Sequence, residues 1–539
     1  MATVNVYNKL MQCLLDCRET IKESNCVNLI ACIDQTIDKM SKPIEVAIIG
    51  KISSSKSTLV NALLGEAEVV RTGQMEETFN VSWIKYGDSS ADIKVFFKDG
   101  SMKLIPRKDW ARWTSHQESN ELKEKVSYIE VTYEHDILKR INIIDTPGLD
   151  ALSEIDSKNT IAFLKNVHPD AVVMLFTKSI AESTMSVLND FVSVNKDSSF
   201  VLSPLNAIGV LAKVDTMWSV MNPKKDVLNE GKRVISQTLY EKYPEVRHTI
   251  FDIFPLSALM GLAASTISDD DVVYLKQLSL VQESVLNEML SSPEFLFDED
   301  YKTDVSPIER KILWQKFGMY GIFVLIDYLK RNTLATRYDL SQVLIKKSGF
   351  ESFQRMVISH FGDRANLIKA QNSIATLKEV CHLERQRNDI NVQDIQMIDD
   401  IEKKLLSVLL SIHEYQEWNY LTKIYTGKEK TDEFIIEEFL RICGEKGSAA
   451  YEKLAMPSSS AIKELKEKAT ERALFWQRKY NIYSMTNPSS ASLIKVMQMS
   501  YNVIIKELED IDVKMQEAKR TLNECMQFVY GESINVDRL

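Results

Sequence analysis

One nine-residue stretch, Gly50-Lys-Ile-Ser-Ser-Ser-Lys56-Ser57-Thr58, constrains this chain more than any other. It follows an apolar, strand-like run at 46–49 and precedes a helix-like run at 59–64. A loop in that position turns successive backbone N–H groups inward, and the positive end of the helix dipole adds to the anion cradle. In a phosphate-binding loop of this pattern Lys56 reaches the β- and γ-phosphates and the Ser57 hydroxyl ligates Mg²⁺. The pattern asks for glycine directly before the lysine, and this chain has Ser55. If that backbone is left-handed, the serine costs roughly 1–3 kcal/mol of strain. Alone, the stretch also fits an ordinary serine-rich turn.

Two further motifs change that balance. The short apolar strand Ile141-Asn-Ile-Ile144 runs into Asp145-Thr-Pro-Gly148, where Asp145 can hold Mg²⁺ through a water and the Gly148 N–H can sense a γ-phosphate. Alone, that tetrapeptide is only a turn. Further on, Ile208-Gly-Val-Leu-Ala212 leads into Lys213-Val-Asp215. A carboxylate there accepts two hydrogen bonds from N1 and N2 of guanine, a donor pair that adenine does not present; taken alone, Asp215 is a charged strand end. The three motifs stand in the right order, each at the C-terminal end of an apolar strand, where open α/β sheets bind ligands.

At this point the chain resembles a GTPase. Lys56 and Asp145 stand 89 positions apart, too far for a minimal small GTPase and similar to the enlarged domain of the dynamin superfamily. The intervening words Leu59-Val-Asn-Ala-Leu-Leu-Gly65, Arg71-Thr-Gly-Gln-Met-Glu-Glu-Thr78 and Val81-Ser-Trp-Ile-Lys-Tyr-Gly87 look like a bacterial dynamin-like protein. Phe254-Pro-Leu-Ser257-Ala258-Leu259 matches the segment whose backbone amide meets the guanine carbonyl oxygen in that family. Phe317-Gly-Met-Tyr-Gly321, Lys347-Ser-Gly-Phe350 and Phe361-Gly-Asp-Arg-Ala-Asn-Leu-Ile-Lys369-Ala370 resemble later landmarks of a bacterial subgroup that includes the mycobacterial isoniazid-induced dynamin-like proteins.

The resemblance implies an α/β P-loop GTPase domain, with a mainly parallel sheet flanked by helices, followed by a long all-α helical-bundle stalk. It implies GTP or GDP and Mg²⁺ as ligands. Gly50, Ser53, Ser54, Ser55, Lys56, Ser57, Thr58, Asp145, Gly148, Lys213, Asp215, Ser257 and Ala258 would surround the nucleotide. Ser57, Thr78 and Asp145 would serve the metal, with Thr78 on the first switch loop. Lys56, Ser53 and Thr78 would carry catalysis, Ser53 through charge compensation across a dimer of GTPase domains. Three positions depart from the family pattern. Glu76 replaces the usual proline two residues before Thr78; Ile52 stands where many dynamins have a polar residue and cannot orient an attacking water; Ala212 replaces the Asn or Thr that ties the guanine loop to the phosphate loop.

A chain of 539 residues exceeds what one hydrophobic core supports, so at least two domains are expected. The net charge of −10 argues against non-specific nucleic-acid binding and leaves room for a local basic patch facing anionic lipid. No apolar stretch reaches membrane-span length and the N-terminus lacks a signal-like pattern, so the expectation is a cytoplasmic protein whose membrane contact is peripheral, on the inner face of the cell membrane. Seven cysteines without a Cys-x-x-Cys pair read as reduced thiols. Cys13 and Cys17 are one helical turn apart, which suits a metal pair, but they lack His or acidic partners and read as buried small hydrophobes.

Helical spacing of Leu10, Leu14, Ile21, Leu29 and Ile33 predicts N-terminal helices over 1–40 packed on the GTPase domain. Alternating strands and helices place that domain at 41–361, and the glycine-poor remainder, 362–539, reads as the stalk. There Met397, Ile401, Leu405, Val408, Leu409 and Ile412 form one apolar stripe, and breakers fall at Gly427, 444–447, 457–460 and Asn487-Pro488. Two segments are candidate stalk tips. Lys479-Tyr-Asn-Ile-Tyr-Ser-Met-Thr486 mixes aromatic, apolar and basic residues as a membrane interface does, or is a plain helix connection with its apolar residues folded under; 443–460 is small and polar. The leading expectation is a GTPase in which dimerisation of GTPase domains, with itself or a paired dynamin-like subunit, moves the stalk to remodel or tether membrane. The alternative is a nucleotide-gated scaffold with slow or no hydrolysis and no direct lipid action.

Overall fold

The computed structural model describes residues 2–51, 53–67, 69, 80–110, 113, 125–147, 169–177, 203–362, 364–425 and 427–530. The chain forms two compact units, Met1–Glu402 and Lys403–Leu539.

The first unit is built on a nine-stranded sheet of order β4-β3-β5-β2-β6-β1-β7-β8-β9. β1 (Ile44–Gly50), β6 (Ile141–Asp145), β7 (Ala171–Phe176) and β8 (Ala207–Leu211) are buried along their whole length. They pair in parallel, joined by β9 (Ile253–Pro255) at one edge. Continuous apolar runs such as Val46-Ala-Ile-Ile49 suit strands covered on both faces. On the other side β2 (Ser82–Tyr86) runs antiparallel to β6 and parallel to β5 (Val126–Tyr133). A hairpin of β3 (Ile93–Phe97) and β4 (Met102–Ile105) completes that edge, with β3 antiparallel to β5. Here burial alternates along the strands, as it does in a sheet with one solvated face.

Helices α1 (Ala2–Ile21) and α2 (Val27–Ser41) bury Leu10, Leu14, Ile21, Leu29 and Ile33, the apolar positions of the sequence pattern. α3 (Lys56–Leu64) follows the phosphate loop and packs on α4 (Ala258–Thr266). α5 (Pro307–Arg331) and α6 (Arg337–Ser348) open with capping boxes, Ser306 with Glu309 and Thr336 with Asp339. α7 (Ala365–Arg385) packs on α1 and α2. The compact unit therefore runs to Glu402, whereas the sequence reading divides the chain at 361/362. The difference is α7, whose buried Lys369 donates to the carbonyl oxygens of Lys39 (3.3 Å), Met40 (3.2 Å) and Lys42. The end of α2 leaves its last carbonyls short of helical partners, with the Lys42 N–H serving only that of Lys39 (3.3 Å), and a cation there also meets the negative end of the helix dipole.

Beside this cap lies a buried acidic pair. Asp170 accepts from the Glu45 N–H (3.1 Å) and pairs with Lys39 (3.0 Å). Burial and then the Asp170 charge push the Glu45 carboxyl up to about 7, against the opposing pull of Lys39, Lys85 and Lys42.

Among the described residues no cysteine is in a disulfide. Cys13 and Cys17 are buried, and no group of three or more His, Cys, Asp or Glu that could hold a metal occurs among the described residues. No described helix is long and apolar enough to cross a membrane.

The second unit is helical. α8 (Val392–Leu410) leads into it, with Ile401, Leu405 and Leu409 buried. α9 (His413–Tyr425), α10 (Glu433–Ile442), α11 (Ile462–Thr486) and α12 (Pro488–Tyr530) follow. α11 and α12 form a long hairpin whose turn is set by Asn487, which caps Ser490 N, and by Pro488 at the first helical position. Glu438 lies in its core and accepts from Arg472 Nε (2.9 Å), Trp476 Nε1 (2.8 Å) and Tyr501 Oη (2.5 Å). Although burial opposes its charge, these donors hold the Glu438 carboxyl below its ordinary value.

A pH prediction follows for the first unit. A folded-state value raised to about 7 means that Glu45 contributes stability below its unfolded value of 4.5 and loses it as pH rises through 7. Glu45→Gln should therefore unfold at the same denaturant concentration as the parent at a pH of about 3.5, below the unfolded value, and gain on the order of 1–3 kcal/mol at pH 8. Equal stability at both pH values would refute this placement of the carboxyl.

Candidate functional site

The phosphate loop leaves the end of β1 in a tight turn. Ser53 and Ser55 both adopt left-handed backbone, φ 58° and φ 71°, so the strain anticipated for Ser55 is present and Ser53 adds a second instance. Gly50 is required for a different reason. A Cβ there would lie 2.7 Å from Ser54 Oγ and 3.0 Å from the Leu175 Cβ on β7. The loop folds back so closely that only hydrogen fits.

That fold-back organises the polar atoms. Ser54 N donates to the Lys51 carbonyl (3.2 Å), and Ser54 Oγ is buried without a hydrogen-bond partner among the described residues. The buried Lys56 ammonium donates to the carbonyls of Gly50 (3.2 Å) and Lys51 (2.9 Å), which hold it beneath the loop. Ser57, in the first turn of α3, donates to Asp145 Oδ2 across 3.1 Å. Asp145 reaches that point because β6 pairs in register with β1, setting it beside Ile48. Thr146 pins the exit of β6 by donating Oγ1 to the Ile48 carbonyl (2.8 Å). Thr58 is half-buried on the same helix turn and Ser53 is exposed. Thr78, Gly148 and Ile52, named in the sequence reading, lie outside the described residues, as does Glu76.

The second half of the site lies two strands away. After β8, Ala212 N donates to the Phe176 carbonyl (2.8 Å) and Lys213 turns left-handed, φ 58° and ψ 35°. This reversal presents Asp215 in the short 3-10 turn Val214–Met217. Burial pushes the Asp215 carboxyl above its ordinary range, and a hydrogen bond from Ser257 works against that rise. Ser257 also caps α4, accepting from Met260 N (3.3 Å), so one residue fixes both the helix start and the carboxylate. Ala258 is the first residue of α4, and its N–H has no partner within the helix. Val214 N donates to the Leu256 carbonyl (3.4 Å). The loop that lacks an Asn or Thr at 212 is therefore tied to the β9 segment.

Three contributors were not legible as such. Thr146 reads only as part of a turn. Ser257 reads as a backbone contributor, although a serine before the apolar run Ala258-Leu-Met260 carries the N-cap signal that could have flagged its side chain. Gly318, inside a sequence landmark of unassigned role, breaks α5 with φ 65° and ψ 174° and passes beside the guanine loop. A Cβ on it would stand 3.6 Å from Asp215 Oδ2. Trp218 completes that contact by packing on Phe323 of α5, ring centroids 4.7 Å apart.

A phosphate loop at the end of a central parallel strand, a strand-end carboxylate beside it and a carboxylate-bearing loop two strands away define a P-loop GTPase domain that binds guanine nucleotide. Residues 46–214 match the profile of the Dynamin family, so this part of the chain is a dynamin-type GTPase domain. The chain is 22% identical over 455 residues to the isoniazid-induced protein IniC of Mycobacterium tuberculosis (strain H37Rv), covering 83% of this chain and 87% of that protein. A shorter match, 32% identical over 136 residues, relates it to dynamin-like protein 2 of Campylobacter jejuni, covering 25% of this chain and 21% of that protein. A solved structure described as an oligomerised bacterial dynamin pair for long-range sensing and tethering of membranes covers 98% of this chain and 78% of its own, at 16% identity and a TM-score of 0.36.

Two substitutions test the geometry. Ser55→Gly removes left-handed strain at some cost in backbone entropy, so the folded state should gain about 0.5–2 kcal/mol with GTP binding retained. A loss of stability in denaturant titrations would place that strain elsewhere. Asp215→Asn should weaken GTP binding by about 10- to 100-fold through loss of charge-assisted hydrogen bonds. Because its amide donates to the carbonyl that xanthine carries in place of the guanine amino group, the variant should bind xanthosine triphosphate better than the parent does. Competition with both nucleotides measures this, and unchanged selectivity would remove Asp215 from base recognition.

Proposed function

We propose that the chain hydrolyses GTP in a domain spanning about residues 41–361, flanked by N-terminal helices over 1–40, and couples association of these domains to movement of a helical stalk formed by the remainder. The observation that carries the reading is the convergence of the Lys56 ammonium, the Ser57–Asp145 contact and Asp215 at the C-terminal ends of neighbouring strands. Each residue then has a chemical part. Backbone amides of Ser53 and Ser55 would face the phosphates, while that of Ser54 is held by the Lys51 carbonyl, and Lys56 would supply the cation that stays with the transferring group. Ser57 and Asp145, 3.1 Å apart, suit a hard cation bound through oxygen, and Thr78 would complete the set. When bound, Mg²⁺ neutralises phosphate charge. Asp215 reads N1 and N2 of guanine while the Ala258 N–H meets its carbonyl oxygen. Gly148 would sense the γ-phosphate.

Ser53 is exposed at the crown of the loop, where it is open to a second GTPase domain. Such pairing, with another copy or with a related subunit, would let Ser53 take part in charge compensation across the interface.

The stalk reading includes a peripheral lipid contact on the inner face of the cell membrane. Its support is the α11–α12 turn, where Ile482 and Met485 are exposed, Met485 at 88%. They are not folded under, and Arg478 is exposed beside them. Tyr483 leans away to donate to Asp432 (2.7 Å). Exposed apolar side chains among cationic and aromatic ones suit the headgroup region.

GTP turnover as a function of protein concentration, with and without phosphatidylglycerol-containing vesicles, tests the proposal. Turnover per chain should rise with concentration and with vesicles. Ile482→Asp/Met485→Asp should lose vesicle co-sedimentation and keep basal turnover. Turnover indifferent to both variables, with no vesicle binding by the parent, would favour the nucleotide-gated scaffold instead.

A further inference from the structure

Gly318 stands inside the 25-residue helix α5 at φ 65° and ψ 174°, a backbone conformation that only glycine takes readily. A glycine within a helix normally weakens it. Here it makes a break that both flanks hold in place. Before the break, Lys316 pairs with Asp271 (2.5 Å) on the helix Asp269–Ser279, and Phe317 is fully buried. After it, Tyr320 and Phe323 pack on Trp218, with ring centroids 6.1 Å and 4.7 Å apart. Trp218 directly follows the turn that carries Asp215. The break is therefore fastened beside the guanine loop and cannot slide past it.

At the break, buried Gly318 faces two residues of the base site. A Cβ on it would stand 3.4 Å from Leu259 Cδ2 and 3.6 Å from Asp215 Oδ2, both ordinary contact distances. A methyl group there would not collide with its neighbours; it would lie against one of the two oxygens that Asp215 offers a base. We propose that Gly318 is a specificity-determining residue, whose missing side chain leaves Asp215 Oδ2 open to the 2-amino group of guanine. The inference rests on the reading of Asp215 as the base-recognising carboxylate and assigns its two oxygens. Guanine presents a ring N–H and an exocyclic amino group to that carboxylate. The amino group projects beyond the ring and carries a second hydrogen, so it needs the roomier side, and an oxygen flanked by glycine supplies it. Leu259, the residue after Ala258, bounds the same space from α4. Selection for the amino group is then built from three separate segments, the guanine loop, the start of α4 and the break in α5.

Binding of GTP and of inosine triphosphate, which lacks only the 2-amino group, to the full chain tests this. The parent should bind GTP about 10- to 100-fold more tightly, the worth of one hydrogen bond to a charged group. Gly318→Ala should weaken GTP binding at least about tenfold and inosine triphosphate binding far less, bringing the ratio close to one. Because the added methyl also strains the backbone, Gly321→Ala gives the comparison. Its Cβ would press on Phe317 Cβ at 3.1 Å in the same helix, without Asp215 among its nearest neighbours. It should lower the unfolding temperature and keep the parent's ratio. Should Gly318→Ala not fold, Leu259→Phe fills the same space from α4 without backbone strain and should narrow the ratio in its place. A folded Gly318→Ala, or failing that Leu259→Phe, that keeps the parent's ratio, whether or not both nucleotides bind more weakly, would overturn the proposal and leave Asp215 in its role. A parent that binds the two nucleotides equally would overturn the reading of Asp215 as well.

Discussion

The close approach of the phosphate loop to the end of β1 is the constraint on which the rest of the site depends. A loop that folds back until Ser54 Oγ occupies the space of a Cβ on Gly50 has little freedom left. Its turn must pass through left-handed backbone at Ser53 and Ser55. Its carbonyls at Gly50 and Lys51 then point where the Lys56 ammonium can be held. The strain is tolerated because β1 is anchored on both sides, by β6 and β7, along a fully buried strand. Local strain persists where the surroundings over-determine the geometry. The same pairing brings Asp145 to Ser57, so backbone register, rather than side-chain attraction, assembles the metal-suited pair.

The two ends of the central strands carry opposite electrostatic designs. At the C-terminal end the Lys56 ammonium is held by carbonyls of its own loop, an arrangement that suits the anionic phosphate proposed there. At the N-terminal end Asp170, Glu45, Lys39 and Lys369 form a buried charge cluster that fastens α2 and α7 to the sheet. Buried charges are costly unless paired and hydrogen-bonded. Lys369 meets that condition by serving several carbonyls, and Asp170 by accepting a backbone N–H and pairing with Lys39. The cluster thereby joins helices at the two ends of the first unit's sequence to the strand that carries the phosphate loop. The helical unit uses the same rule. Glu438 takes donors from both helices of the long hairpin, which sets their register more specifically than apolar packing does alone.

Sequence alone determined the order and type of the chemistry: strand, phosphate loop, helix, then two strand-end acids at Asp145 and Asp215. These were legible because each motif is local, with residues of a fixed type at a fixed offset from an apolar run. The N-terminal helices and the breakers of the helical half were legible for the same reason, since periodicity and glycine or proline act within a few residues. The metal-suited contact between Ser57 and Asp145, the coupling of Ser257 to Asp215 and the passage of Gly318 beside that carboxylate were decided by tertiary structure, because they join residues from separate strands and helices. Tertiary structure also joined α7 to the compact unit that ends at Glu402, through a lysine that donates to carbonyls more than three hundred residues earlier. The apolar seam of α12 shows both influences. The spacing of Ile494, Met497, Tyr501, Ile504 and Leu508 is written in the sequence, and only the folded bundle makes them core.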